Sequence, residues 1–74
     1  MGARFLELRK RAGLTQEELA REAGVTLSAV RQWERGKRTP MLDTAVRLAK
    51  VFGVTVGQLA GTEPMPPAKK GKKE

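Results

Sequence analysis

Only two residues, Gly24 and Val25, separate one amphipathic segment from the next. Ala23 closes the first. Thr26 already carries the chemistry of a helix N-cap, a hydroxyl that accepts a hydrogen bond from a backbone N–H of the coming turn. Helices joined so tightly have to cross at a steep angle. The neighbouring residues suit that crossing. Ala20 is small enough to let two helices approach, Gly24 can take the positive φ of a reversal, and Val25 and Val30 fill the angle.

The same punctuation recurs along the chain. Gly13, Gly24, Gly36, Gly53 and Gly61 each follow a segment with a 3.6-residue apolar period, and glycine is favoured just past a helix C-terminus. Residues 3–12 put Phe5, Leu8 and Ala12 on one stripe. A second helix opens on Thr15 and Glu18, the pattern of a capping box, with Leu14 and Leu19 at the staple positions, and runs to about Ala23. A third occupies residues 26 to about 35, with Val25 and Val30 as its staple. A fourth, roughly 41–52, places Ala45, Leu48, Ala49 and Phe52 inward. Either Thr39 caps it with Pro40 at the first helical position, or Met41 stands at the cap without a side-chain acceptor. A fifth, Val56 to Ala60, has Thr55 as cap and Val54 with Leu59 as staple, and is weakened by Gly57. No segment alternates with the period of a strand. The predicted fold is all-α, a compact five-helix bundle.

A chain of 74 residues holds one domain, and at that size only about 60% of the unfolded surface is buried. It contains no Cys and no His, which excludes disulfides, thiolate nucleophiles, imidazole bases and metal sites built on either. Carboxylates, hydroxyls and lysines remain, with no pocket-sized domain to hold them. The expectation is no enzyme, no cofactor and no metal. Apolar runs fall far short of the roughly 20 residues of a membrane span, and the opening MGARFLELRK has no apolar signal region. A cytoplasmic, nucleoid-associated protein without a membrane partner is expected. The net charge of +7 favours a polyanionic partner, with nucleic acid ahead of an acidic membrane. That charge is divided. Residues 1–63, the predicted domain, carry 11 basic and 7 acidic side chains, whereas residues 64–74, PMPPAKKGKKE, carry 4 Lys and 1 Glu. The tail's composition predicts disorder, and its role is either solubilising or that of a basic arm drawn to phosphates.

The spacing Ala20, Gly24, Val30, with Trp33 one turn later, is that of a helix-turn-helix. The joint alone would equally serve as an αα-corner with no further task. The outer face of the third helix decides between them. At about 100° per residue Val30 and Trp33 face the core, and Leu27, Ser28, Arg31, Gln32 and Arg35 share an opposite arc of roughly 140°. That arc contains no acid. Arginine matches guanine O6 and N7, glutamine matches adenine N6 and N7, and an apolar side chain matches the thymine methyl. Reading of double-stranded DNA in the major groove is the function these residues predict.

LRKRAGLTQEELAREAGVTLSAVRQWERGKRTP (8–40) followed by LAKVFGV (48–54) resembles the helix-turn-helix domains of phage repressors, Cro proteins and the xenobiotic-response-element family. The resemblance covers about residues 4–61. It implies a lambda-repressor-like bundle with the third helix in the major groove, acting as a transcriptional regulator, more often a repressor, and usually as a homodimer on DNA. It also implies roles for single residues. Gln16 assists a phosphate held at the start of helix two. Leu27, Ser28 and Gln32 match base-reading positions, and Arg31 reaches a base or a phosphate. Lys37 and Arg38 match backbone-contacting positions. With Thr26 at the helix tip and Arg35 on the outer arc, these form the candidate DNA-binding set. Glu34 pairs with Arg9 inside the fold. Two departures stand out: Met41 replaces the usual Ser or Thr, and Gly57 replaces a polar helix former in the helix that often carries the dimer contact. An antitoxin- or coactivator-like module, in which a protein partner comes first and DNA second, is the alternative function. Met41 and the fifth helix would then carry the contact.

Overall fold

In the computed structural model, which describes residues 2–65, the glycine punctuation becomes five helices. They are α1 (Gly2–Arg11), α2 (Gln16–Ala23), α3 (Leu27–Glu34), α4 (Leu42–Phe52) and α5 (Val56–Ala60). No strand occurs among the described residues. The expected tail lies, from residue 66 on, outside the described residues.

The caps explain the boundaries. Thr15 Oγ1 accepts from the Glu18 N–H at 3.0 Å while Glu18 Oε1 accepts from the Thr15 N–H at 2.9 Å, so the capping box is closed in both directions. Thr26 Oγ1 accepts from the Ala29 N–H at 3.0 Å and starts α3. Helix α4 starts behind Met41, whose backbone is extended and whose side chain makes no capping bond, so Met41 rather than Thr39 holds the cap position. Asp43 in the first turn complements the positive end of that helix. Helix α5 has a second reciprocal box, Thr55 with Gln58, at 2.9 and 3.0 Å. Spacing alone did not single out Gln58, yet its box helps a five-residue helix hold around a central glycine.

Gly57 is also where the chain folds back. Its carbonyl accepts from the N–H groups of Gly61, Thr62 and Glu63 at 2.9, 2.9 and 3.1 Å. Thr55 Oγ1 donates to Glu63 Oε1 at 2.7 Å, and the Glu63 carboxyl group lies within 2.7 Å of where a Cβ on Gly57 would stand. Arg4 Nη1 then donates to the carbonyls of Gln58 and Glu63 at 3.3 and 3.2 Å, tying this turn to α1.

The core gathers one face of every helix: Phe5 and Leu8 of α1, Leu19, Ala20 and Ala23 of α2, Val30 and Trp33 of α3, Ala45, Leu48 and Ala49 of α4, and Leu59 of α5. All the aromatic residues of the chain, two Phe and one Trp, meet there. The Phe5 ring lies 5.7 Å from Trp33 and 5.4 Å, edge-on, from Phe52. Phe52 is only half-buried, and Ala12 is exposed because α1 ends at Arg11, before its stripe is complete. No helix among the described residues is long and apolar enough to cross a membrane.

Gly2 marks a close approach. It is buried, and a Cβ there would stand 2.6 Å from the Glu34 carbonyl oxygen and 2.8 Å from the Gly36 nitrogen. Both are backbone atoms that cannot swing aside. Gly2→Ala is therefore expected to lower stability by about 1–2 kcal/mol, since an added methyl in a packed site forces backbone shifts. A urea titration followed by Trp33 fluorescence reads it. An unchanged midpoint would mean that the start of α1 does not rest on the end of α3.

Candidate nucleic-acid interface

The corner between α2 and α3 is built by backbone hydrogen bonds. Gly24 sits at φ 70° and ψ 35°, the left-handed region that residues with a Cβ avoid. Its N–H reaches the Arg21 carbonyl at 3.3 Å and the Val25 N–H reaches the Ala20 carbonyl at 2.9 Å. This paired pattern satisfies the last carbonyls of α2 and turns the chain at once into the Thr26 cap. Val30 is fully buried beneath the corner and Trp33 is 7% exposed. The inner side of α3 is thus fixed, and with it the direction of the outer side.

On that outer side Ser28, Arg31 and Arg35 are exposed, while Leu27 and Gln32 are half-buried. Gln32 sits between two neighbours: its Nε2 donates to Ser28 Oγ at 3.5 Å, and its Oε1 accepts from Arg38 Nη1 at 3.4 Å. Both contacts are long enough to be exchanged for a better partner. The amide is held in place without being consumed. Thr26 is exposed, and its oxygen is engaged in the cap, which leaves the hydroxyl proton free to donate. Lys37 and Arg38 are exposed on the loop after α3, where the Lys37 N–H returns to the Gln32 carbonyl at 2.9 Å. That loop is consequently tied to the helix it follows.

Glu34 is the one acid on α3, and it is turned inward. Arg9 of α1 holds it with Nε to Oε2 and with Nη2 to Oε1 at 3.5 Å, and the two side chains are 14% and 8% exposed. The third guanidinium nitrogen, Nη1, donates to the Leu14 carbonyl at 2.8 Å and fixes the loop into α2. Gln16 joins the pair, with its Nε2 donating to Glu34 Oε1 at 2.8 Å. This bond, which spacing along the chain does not reveal, gives Gln16 a structural task beside the expected one. An amide nitrogen carries two protons, so one remains for an outside acceptor. Beside it lie the first-turn N–H groups of Gln16 and Glu17, which the Thr15 cap does not take. The start of α2 and the end of α3 are thereby joined through one carboxylate. The cluster unites α1, α2 and α3 beneath a surface on which Ser28, Arg31 and Arg35 meet no acid of their own helix.

Comparison with known proteins agrees with this geometry. A family model described as helix-turn-helix matches residues 5–59, the stretch from α1 into α5. An uncharacterized HTH-type transcriptional regulator of Archaeoglobus fulgidus is 39% identical over 59 residues, covering 80% of this chain and 84% of the relative. The uncharacterized HTH-type transcriptional regulator y4dJ of Sinorhizobium fredii is 38% identical over 55 residues, 74% of this chain and 71% of its own length. The cryptic phage CTXphi transcriptional repressor RstR of Vibrio cholerae is 35% identical over 57 residues, 77% of this chain and 51% of the repressor. No solved structure matches. The family match embraces the corner, its caps and the inward Arg9–Glu34 pair together, and the chain belongs to the helix-turn-helix family.

Proposed function

We propose that the protein is a transcriptional regulator, acting as a repressor, that binds double-stranded DNA sequence-specifically by laying α3 in the major groove. The observation that carries this reading is the outer face of α3: Ser28, Arg31, Gln32 and Arg35 stand without an acid among them while Trp33 is packed inside. Ser28, Gln32 and Leu27 contact base edges, and Arg31 and Arg35 reach bases or the adjoining phosphates. Thr26, Lys37 and Arg38 hold the backbone, as does Gln16 with the free N–H groups at the start of α2. Two copies on one operator would take half-sites about one helical turn, roughly 34 Å, apart. The relatives, transcriptional regulators and one phage repressor, support the assignment. A nucleoid target places the protein in the cytoplasm.

Selection of bound sites from random DNA at about 150 mM salt, scored against non-specific DNA, tests it. A recurring motif is expected. Gln32→Ala should relax one position of that motif, at roughly 1–3 kcal/mol of lost discrimination, whereas Lys37→Ala should weaken all sequences alike and reduce the salt slope by about one. If Gln32→Ala returns the parent motif, that side chain does not read a base. If no motif emerges at all, the regulator reading falls.

A further inference from the structure

Gln32 has a hydrogen-bond partner at each end of its amide. Its Nε2 donates to Ser28 Oγ, one turn back on the same helix, and its Oε1 accepts from Arg38 Nη1 in the loop that follows α3. A primary amide carries two protons on nitrogen and two lone pairs on oxygen, so one donor and one acceptor remain unused. The side chain therefore offers a donor beside an acceptor to whatever lies outside. In the major groove adenine is the base that shows the matching pair, an N6 donor beside an N7 acceptor. Guanine shows two acceptors there, and cytosine and thymine a single polar group each.

The order of donor and acceptor is set by the two partners, and unequally. A half-turn about the last side-chain bond exchanges the oxygen and nitrogen of a glutamine. The Ser28 hydroxyl both donates and accepts, so it tolerates either end. A guanidinium only donates. With Arg38 in place, the end of the amide that faces the loop has to be the oxygen. The loop keeps Arg38 within reach, because the Lys37 N–H ties it to the Gln32 carbonyl at 2.9 Å. Arg38 is exposed and enters no ion pair among the described residues, which leaves the rest of its planar fork for a phosphate.

The geometry points to Arg38 as a positioning residue that sets the preference for adenine at a base pair read by Gln32. By holding Gln32 Oε1 it fixes the order in which the amide presents acceptor and donor. This rests on the reading of α3 as the element in the major groove, and it adds a specificity determinant from outside that helix. At 3.4 Å the bond is long, so the order is biased rather than locked, and the expected effect is about three- to tenfold.

Site selection gives the operator, and Gln32→Ala marks the base pair that this side chain reads. Kd is then measured by fluorescence anisotropy for that site and for the three alternatives at the marked pair. In the parent the preferred base is adenine. Arg38→Gln brings a neutral amide that can donate or accept, and the preference for adenine should fall about three- to tenfold. It also weakens every site by losing a phosphate contact, but that uniform loss cancels in a ratio between sites. Arg38→Lys, still a pure donor, should keep the ratio within about twofold of the parent. Lys37→Ala, which weakens the sites alike, is the control. In a Gln32→Ala background, Arg38→Gln should cost no further preference. Arg38 is exposed on a loop, so its replacements should melt close to the parent. Equal weakening of all sites by Arg38→Gln, the result for a residue that only grips phosphate, overturns the inference and leaves the reading of α3 standing. A preferred base other than adenine at the marked pair, or a loss with Arg38→Lys as large as with Arg38→Gln, also overturns it. If Gln32→Ala marks no pair, Gln32 does not read a base, and the inference falls with that assignment.

Discussion

Phe5→Ala is expected to lower the unfolding free energy by about 3–5 kcal/mol, the range for truncating a fully buried aromatic. Phe5 has no exposed surface, and its ring is the one that touches both Trp33 of α3 and Phe52 of α4. Removing it deletes both ring contacts at once and opens a cavity between three helices. Stability of roughly 0.05–0.15 kcal/mol per residue gives a 74-residue chain about 4–11 kcal/mol in all. The variant should accordingly sit near the edge of unfolding at 37 °C. Its urea midpoint, followed by Trp33 emission and by helical circular dichroism, should fall steeply with the slope unchanged. Phe5→Leu, which keeps most of the volume, should recover more than half of the loss. Since Phe5 lies on the far side of Trp33 from the outer face of α3, DNA affinity measured where both proteins are folded should be equal. A loss under about 1 kcal/mol would mean that the aromatic cluster is not the centre of the core.

What the sequence reveals depends on how far apart the interacting residues are. Helix starts at Thr15, Thr26 and Thr55 are legible because a hydroxyl bonds an N–H three residues on, a contact contained in a few residues of chain. The corner is legible for the same reason, as Gly24 and Val25 bond back to Arg21 and Ala20. The fourth helix start left two choices, since Pro40 and Met41 are both compatible with an entry and only the packed chain decides. Ala12 continues the right period but falls one residue past the end of α1. Gly2 was invisible, because its need for a missing Cβ is set by Glu34 and Gly36, more than thirty residues away. The Arg4 and Glu63 tie across α1 and the chain after α5 is hidden likewise. For the interface, phase alone placed Arg31, Gln32 and Arg35 outward, and the helix does hold Arg31 and Arg35 in solvent. Phase could not show that Gln32 lies between Ser28 and Arg38, nor that Gln16 is held by Glu34, because those depend on how the loop and the neighbouring helix close.

Glu34→Ala should destabilise the fold by about 3 kcal/mol without tightening DNA binding. Taking one partner from a buried ion pair leaves the other charge unsatisfied, which typically costs about 3–5 kcal/mol. The lower end applies because Arg9 keeps 14% of its side chain exposed and still holds the Leu14 carbonyl. A loss of that size lowers the melting temperature by well over 10 °C in a domain of this length. High salt should not abolish the difference, since buried pairs are screened far less than exposed ones. Arg9→Leu/Glu34→Leu, which removes both charges and fills the space, should melt above either single replacement, giving a coupling of roughly 1–3 kcal/mol in a double-mutant cycle. An acid on a DNA-facing helix would ordinarily repel phosphate, so its deletion would strengthen binding. Here the carboxylate points to Arg9 and Gln16 instead. Its removal frees the Gln16 amide from its anchor at the start of α2, and affinity at a temperature where both proteins are folded should stay level or fall slightly. Tighter binding with an unchanged melt would show that Glu34 faces the DNA, and it would remove the tie between the start of α2 and the end of α3.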